Sequence, residues 1–271
     1  MTAAALSILL AAAVSLAMTA VWLTVVKGAV SGWVDAVWSF LVGAAGMVAA
    51  LTHVDGWDGD YRRRLLVATI AGVWSCRLGI HILRRTLHGG EDPRYASLRE
   101  QWEESWRSRL FLFLQVQAAA ALLLTATIFI AARNPANGLH WSDAAGIAIL
   151  VIAVIGEGVA DTQLAQFRSK AANTGKVCDH GLWSLSRHPN YFFQWLGWAG
   201  YAVIAIGPAG VWGWGWTALA GPAFMYWLLV HVSGIPPLEA HMMRSRGVAF
   251  AAYVERVNAF WLGPQKKGRT T

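Results

Sequence analysis

The residues best suited to chemistry lie in one polar stretch, residues 161–194, of an otherwise apolar chain. Cationic side chains alternate there with Asn and Gly. Arg and Lys supply charge-assisted hydrogen-bond donors, and Gly lets backbone N–H groups approach closely, so the composition suits a phosphate-bearing ligand. The alternative is a basic loop that only orients the protein in a membrane. The candidate ligand-binding residues are Arg168, Lys170, Asn173, Arg187, His188, Asn190 and Tyr191.

Two carboxylates directly precede these cations. Glu157 and Asp161 are four residues apart, so they share one face of a helix. Arg168 and Lys170 follow within about two turns of Asp161. Snorkelling at the membrane interface is the alternative explanation, but two carboxylates beside two cations indicate a polar ligand pocket.

A second set of ionisable residues lies inside or beside apolar segments nearer the N-terminus. Such groups are costly in a membrane and usually face a cavity or a partner. Asp35 lies at the start of one segment, and Arg77 and His81 share a face of the next. An Asp35–Arg77 ion pair and a hydrogen-bonded core histidine are the structural alternatives. The turn HGGEDPRY follows, from which Arg94 and Tyr95 could reach a ligand entering from the cytosol.

The composition places the chain in the membrane. Of its 271 residues, 56% are hydrophobic and 14% are charged, whereas about 25% are charged in soluble domains. Apolar runs near the ~20 residues that cross a bilayer recur along the chain, and 16 Trp suit the membrane interfaces. The net charge of +7 resides mainly in loops between these runs, so topology explains it better than nucleic-acid binding does. The two Cys give neither a disulfide framework nor a zinc spacing, and we expect no metal site.

We therefore predict an all-α, polytopic, single integral-membrane domain over residues 1–271. Its seven transmembrane helices form a bundle, with Gly43 and Gly46 allowing close helix packing. The predicted spans are 3–26, 33–52, 65–83, 110–132, 144–160, 191–206 and 211–232. The first span has no basic residue before Lys27, so we interpret it as a retained helix rather than a cleaved signal. The tail, 233–271, is predicted to hold an amphipathic helix from about Pro237 along the membrane surface.

Orientation follows from the distribution of Lys and Arg. Most of them lie between spans three and four, between spans five and six, and in the tail. These links share one side of a seven-span protein, which we predict to be cytoplasmic, with the N-terminus outside. Residues 62–64, all Arg, and Arg133 fall on the opposite side, against this rule.

Three segments carry a resemblance to a known family: GEDPRYASLREQW, GLWSLSRHPNYFFQWLGW and SGIPPLEAHMMRSRGVAFAAYVERVNAFWLGP. Together they resemble the bacterial branch of the steroid 5-alpha-reductase family, and the likeness covers about residues 35–264. The S-R-H-P-N-Y stretch with its downstream P-P-L-E is the most specific feature. Sterol reductases and isoprenylcysteine methyltransferases share a looser R-H-P-x-Y.

The resemblance implies a bacterial inner-membrane enzyme that binds NADPH from the cytosolic side. It implies reduction of a carbon–carbon double bond conjugated to a ketone, as in 3-oxo-4-ene steroids. By position, Glu157 and Asp161 stand where the family places an Asn/Asp pair on the cofactor, and Arg168 matches a basic residue near the phosphates. From the residue pattern and the resemblance together, the residues that we assign to cofactor binding are Arg94, Tyr95, Glu157, Asp161, Arg168, Lys170, Asn173, Arg187, His188, Asn190, Tyr191 and Glu239.

The sequence departs from the family in two places. Gln194 stands where the cofactor motif continues to a Glu. The Gln-Glu dyad and the Tyr that hold the substrate carbonyl in the animal enzymes have no counterpart. Asp35 lies in the first of those regions and Arg77 near the second, so Asp35, Arg77 and His81 are our candidates for polarising that carbonyl.

Other functions remain open at this stage. An S-adenosylmethionine-dependent methyltransferase of a lipid-like acceptor would share R-H-P but would need no pocket for a 2′-phosphate. A non-enzymatic lipid-binding protein would leave the clustered carboxylates and cations without a role. A transporter would favour broken helices in paired halves, which the sequence lacks. Neither a Walker motif nor a G-x-G-x-x-G opening a helix is present.

Overall fold

The computed structural model describes residues 1–89 and 92–266, and the described chain is helical, without strands. The all-α prediction is therefore confirmed. Gly90 and Glu91 of the GEDPRY segment and the last five residues of the predicted tail lie outside the described residues. In order, the α-helices are α1 Ala3–Val26, α2 Trp33–Leu51, α3 Tyr61–Gly89, α4 Pro93–Trp102, α5 Trp106–Ala132, α6 Trp141–Arg168, α7 Pro189–Ile206, α8 Gly213–Thr217, α9 Ala220–Trp227 and α10 Ile235–Arg256.

Each predicted span forms a helical segment. Within the described residues, six helical stretches are long and apolar enough to cross a membrane, which supports a multi-pass membrane protein. They are Ala3–Val26, Trp33–Leu51, Tyr61–His88, Arg94–Ala132, Trp141–Arg168 and Gly213–Arg256. The predicted span 191–206 corresponds to α7, which has 18 residues and is not among these six.

The largest difference from the predicted boundaries is at α6. The span was predicted to end at residue 160, but the helix continues to Arg168. No Gly or Pro interrupts TQLAQFR, and the Asn173 side-chain amide donates to the Phe167 carbonyl at 2.8 Å near the helix end. Asp161 and Arg168 therefore lie on a helix rather than in a loop.

The last predicted span, 211–232, is interrupted. It consists of α8, α9 and a π-helical turn, Leu228–Val232, before α10 begins. A Cβ on Gly215 would lie 2.4 Å from the Ala205 carbonyl oxygen, so the backbones touch there and only glycine fits. The tail helix predicted from Pro237 begins at Ile235, and it contains a non-helical residue, Gly247, with φ of 46°.

The chain divides into two compact units. Unit 1 comprises Met1–Ala144 and Tyr201–Ala220, and unit 2 comprises Ala145–Gly200 and Gly221–Thr271. In unit 1, small residues bring α2 against its neighbours. A Cβ on Gly43 would lie 2.1 Å from the Ser75 Cβ of α3, and one on Gly46 would lie 2.6 Å from Ile128 of α5. The predicted role of both glycines in close packing is confirmed.

A buried ion pair joins the start of α3 to the start of α6 within unit 1. Arg63 and Asp143 have side chains that are each 1% exposed. Arg63 Nε donates to Asp143 Oδ1 at 2.7 Å, and its Nη2 donates to Oδ2 at 2.9 Å. The remaining guanidinium donors reach the carbonyls of Asn134, Ala136 and Gly138. One arginine therefore anchors the whole loop between α5 and α6.

We expect Asp143→Asn to lower the free energy of unfolding by about 3–5 kcal/mol, because it leaves the buried Arg63 charge without its carboxylate. The measurement is the temperature of half-unfolding of the purified protein in detergent. Asp179→Asn is the matched control, since the Asp179–Arg256 pair is exposed and such pairs contribute about 0–1 kcal/mol. Equal losses of thermal stability in both variants would contradict the stabilising role that we assign to the Arg63–Asp143 pair.

Candidate functional site

In unit 1, Asp35 is the centre of a polar group that we call the Asp35 cluster: Asp35, Asp92, Arg94, Tyr95 and Gln117. Asp35 lies in the first turn of α2. Arg94 Nη2 donates to Asp35 Oδ2, and the Tyr95 hydroxyl donates to Oδ1 at 3.2 Å. Asp35 thus accepts hydrogen bonds from two residues of α4. The structure brings together one predicted catalytic residue and two predicted cofactor-binding residues.

Asp92 holds Arg94 in place. It is the N-cap of α4, and its Oδ1 accepts from the backbone N–H of Arg94 at 2.9 Å and from the Arg94 Nε at 3.2 Å. Arg94 Nη2 donates to Oδ2 at 3.2 Å, and Arg85 adds a fourth contact, at 3.3 Å to the same oxygen. Burial alone would raise the pKa of Asp92, but the adjacent Arg94 charge and its hydrogen bonds hold that pKa below its ordinary value. Arg94 is therefore shared between the side chains of Asp92 and Asp35.

Gln117 of α5 extends this cluster. Its Nε2 donates to the Tyr95 hydroxyl at 3.3 Å, so a chain of hydrogen bonds runs from Gln117 through Tyr95 to Asp35. The backbone carbonyl of Gln117 also accepts from the Trp38 indole at 2.8 Å. Among the described residues, the buried Oε1 of Gln117 has no hydrogen-bond partner. The Gln117 Oε1 atom is thus an unused hydrogen-bond acceptor close to Tyr95.

The other two predicted catalytic residues lie on α3. Arg77 and His81 are one turn apart and half-buried. This confirms that they share a helix, and it places them in unit 1 with Asp35.

In unit 2, three of the predicted cofactor-binding residues bind one another. We call Arg187, His188 and Glu239 the Glu239 cluster. Arg187 Nε donates to Glu239 Oε1 at 2.7 Å, and Nη2 donates to Oε2 at 3.1 Å. His188 Nε2 lies 2.9 Å from the same Oε1. Arg187 and His188 are 9% and 3% exposed.

The remaining donors of Arg187 are also used inside the protein. Its Nη1 donates to the carbonyls of Val254 and Val257, and its backbone N–H donates to Asn258 at 2.8 Å. The preceding Ser186 hydroxyl donates to the Phe260 carbonyl at 2.9 Å. S-R-H therefore joins the start of α7 to α10 and the segment after it.

Asn190, two residues after His188, contacts α6. Asn190 Nδ2 donates to Asp161 Oδ1 at 3.2 Å, while Asn190 Oδ1 accepts from the backbone N–H of Tyr191. The Tyr191 ring stacks on the His188 ring, with centroids 5.5 Å apart. Glu157, one turn before Asp161, is buried at 3% exposure. The predicted grouping of Asp161, Asn190 and Tyr191 is thus present in unit 2.

The cations of the polar stretch are more accessible. Arg168 and Lys170 are exposed, at and just beyond the end of α6. Seven residues separate Asp161 from Arg168, which puts them on one helix face about 10 Å apart along the axis. Asn173 is half-buried and caps α6. A carboxylate–amide pair and an exposed cation on one face can together bind an extended, phosphate-bearing ligand.

Two members of the Asp35 cluster escaped the sequence analysis. Asp92 carried a recognisable signal, because Asp followed by Pro at the start of a helical pattern marks an N-cap. Gln117 is an amide well inside an apolar span, and such residues usually have a partner. Among the residues that the structure describes, no group of three His, Cys, Asp or Glu could hold a metal ion.

One comparison with known proteins gives a match. The family model described as Protein of unknown function (DUF1295) matches residues 21–257, which is most of the chain. No curated protein and no solved structure matches it.

The Glu239 cluster predicts a pH dependence. Burial, the largest effect, lowers the pKa of His188 below its ordinary 6.5. The unfolded chain therefore binds a proton at a higher pH than the folded one, so the free energy of unfolding should fall as the pH falls below about 6.5.

We expect His188→Gln, which keeps a donor for Glu239, to reduce the loss of thermal stability between about pH 6.5 and pH 5. His241→Gln, an exposed site on α10, is the control, and parallel profiles for all three proteins would refute the assignment to His188.

Proposed function

We propose that this chain, which belongs to the DUF1295 family, is an NADPH-dependent membrane reductase that transfers hydride to the conjugated double bond of an enone lipid. The family is related to steroid 5-alpha-reductase-like proteins, so a 3-oxo-4-ene steroid is the first substrate to test. We place the enzyme in a bacterial inner membrane, with the N-terminus outside and the polar stretch in the cytoplasm.

One observation carries the proposal: the Asp161–Asn190 pair and the exposed Arg168 lie along one face of α6. The carboxylate and amide offer an acceptor and a donor to hydroxyl or carboxamide groups. Arg168, with Lys170 two residues on, offers charge-assisted donors to phosphate. This donor set fits NADPH, which would supply the hydride when bound.

The Glu239 cluster has a different role in this proposal. Arg187 and His188 are buried and bind Glu239, so we assign them to positioning rather than to phosphate binding. Asn190 is two residues beyond His188, in the first turn of α7. By fixing that turn to α10, the cluster holds Asn190 at the distance from Asp161 that the pair requires.

The Asp35 cluster supplies the charges that enone chemistry needs. Hydride arrival at the β-carbon leaves negative charge on the carbonyl oxygen, which donors in a dry site must stabilise. Asp35 accepts from Arg94 and from the single hydroxyl proton of Tyr95, so it orients the Arg94 guanidinium, whose remaining N–H groups are the available donors, rather than acting as a donor itself. We therefore propose that Asp35 acts by holding these donors, with Arg77 and His81 as further donor candidates.

The second candidate function is methyl transfer from S-adenosylmethionine to a lipid-like acceptor. The binding of Arg187 and His188 to Glu239 favours neither function, because reductases and methyltransferases share the R-H-P-x-Y motif. S-Adenosylmethionine lacks phosphate, however, and offers the exposed Arg168 and Lys170 only its single carboxylate, whereas NADPH offers several phosphate oxygens.

We expect NADPH, but not S-adenosylmethionine, to raise the thermal stability of the purified protein, because a ligand of the folded state stabilises it by mass action. Arg168→Ala should weaken NADPH binding about tenfold, since a charge-assisted hydrogen bond contributes about 1.5 kcal/mol or more. It should weaken NADH binding less. The measurement is the temperature of half-unfolding while each ligand is titrated.

Arg244→Ala is the control for that titration, because Arg244 is an exposed arginine on α10 of the same unit. Equal effects of the two substitutions would remove Arg168 from the site. Stabilisation by S-adenosylmethionine alone would refute the reductase proposal and would indicate that the same helix face binds a methyl donor.

We expect Asp35→Asn to lower turnover of an enone such as progesterone or testosterone by about 100-fold, because donors aimed at a developing charge commonly contribute that much. NADPH-induced stabilisation should not change. Turnover is measured as enone-dependent loss of NADPH absorbance. Asp55→Asn, an exposed carboxylate beyond the other end of α2, is the control. Unchanged activity in Asp35→Asn would remove the Asp35 cluster from the mechanism.

A further inference from the structure

A second polar site lies in unit 1, at the end of α2 remote from Asp35. It is a cavity of about 270 Å³ lined by Trp57, Asp58, Arg133, Pro135, Trp212 and Trp214. Nineteen helical residues span about 28 Å, close to the ~30 Å thickness of the bilayer core. The cavity therefore lies at the opposite membrane face from the Asp35 cluster.

Arg133 gives this cavity a positive charge. It is 1% exposed, and its guanidinium donates to the carbonyls of Ala49, Thr52 and Trp57 at the end of α2 and just beyond. Within the described chain no carboxylate pairs with it, and its Nε has no hydrogen-bond partner. Burial, with the neighbouring Arg64 charge as a smaller effect, lowers its pKa to about 10. The cation is thus held by backbone carbonyls and by the Phe129 ring, whose centroid is 5.0 Å away, with Asp58 as the carboxylate that acts on it, and a further anion would stabilise it.

The walls of the cavity are aromatic. The Trp57 ring centroid lies 5.4 Å from that of Trp214 and 6.3 Å from that of Trp212, with the planes tilted by 60° and 75°. Inclined indole faces attract ammonium groups. In the part of the chain that the structure describes, none of the three indole N–H groups has a partner. Trp214 is 57% exposed, as befits an indole at a membrane interface.

The lining carries charge of both signs. Asp58 is exposed on the cavity rim and contributes a carboxylate opposite in sign to Arg133. An ammonium group would therefore meet both a carboxylate and aromatic faces, while a phosphate would meet the arginine and the indole donors. This pairing matches a molecule that carries phosphate and ammonium a few atoms apart.

We propose that this cavity binds the headgroup of a zwitterionic phospholipid, with its phosphate at Arg133 and its ammonium beside Asp58 and the three indoles. Its position at the end of a membrane-spanning helix favours a lipid over a free solute, because exposed tryptophans prefer the headgroup layer. The site is independent of the proposed reductase chemistry and would fix the protein's depth and tilt in the bilayer.

The test is thermal stability of the full-length protein in detergent while a short-chain phosphatidylethanolamine is titrated. We expect stabilisation by this lipid and by phosphatidylcholine, but not by diacylglycerol or inorganic phosphate. Trp214→Ala should weaken the apparent affinity about tenfold, through loss of a cation–aromatic contact and of headgroup burial. Trp141→Ala is the matched control, because Trp141 is an exposed tryptophan of the same unit outside the cavity.

We expect Asp58→Asn to fold normally, because the Asp58 side chain is exposed and its ion pair among the described residues is the 4.0 Å contact with the exposed His53. This variant should lose the preference for phosphatidylethanolamine over phosphatidylglycerol. Equal stabilisation by diacylglycerol would reduce the effect to acyl-chain binding, and equal stabilisation by inorganic phosphate would reduce it to a simple anion site. Either result, or equal effects of Trp214→Ala and Trp141→Ala, would overturn the proposal.

Discussion

The structure depends on one constraint: an arginine buried in an apolar membrane protein must find its partners within the chain. The buried Arg63 binds Asp143 and the buried Arg187 binds Glu239, and Arg94, which is 38% exposed, binds Asp35. Each guanidinium also reaches further acceptors, so one side chain fixes several backbone segments at once. A lone buried charge would cost several kcal/mol, and the chain therefore folds so that distant acidic residues meet these arginines.

The same constraint explains three of the four arginines that run against the positive-inside rule, with Arg62 as the exception. Arg63 is consumed by Asp143, while Arg64 and Arg133 donate to the last carbonyls of α2 and the residue that follows it. The last four carbonyls of a helix have no partner within it, and cationic side chains complement the negative end of its dipole. These arginines stabilise the fold of unit 1. Counting the Lys and Arg residues of each loop to predict membrane orientation therefore gives them a topological role that their contacts do not require.

The sequence was sufficient where local pattern decides the outcome. The α1 bounds, the all-helical class and the close packing of Gly43 follow from apolar runs and small residues alone. It was insufficient where partners are distant in the chain. Arg187 was identifiable as a functional residue by type and motif, but nothing local indicates that Glu239, 52 residues later, takes its guanidinium. The α6 extension was missed because polar composition was taken for a loop.

That distant partnership bears on what the R-H-P motif means. Reductases and methyltransferases share a form of it although their cofactors differ. In this chain Arg187 and His188 bind Glu239, so the motif builds the joint between α7 and α10 instead of a cofactor-specific contact. The contact between α7 and α10 can be the same in two enzymes that bind different cofactors. Cofactor choice would then depend on exposed residues outside the joint, such as Arg168 and Lys170.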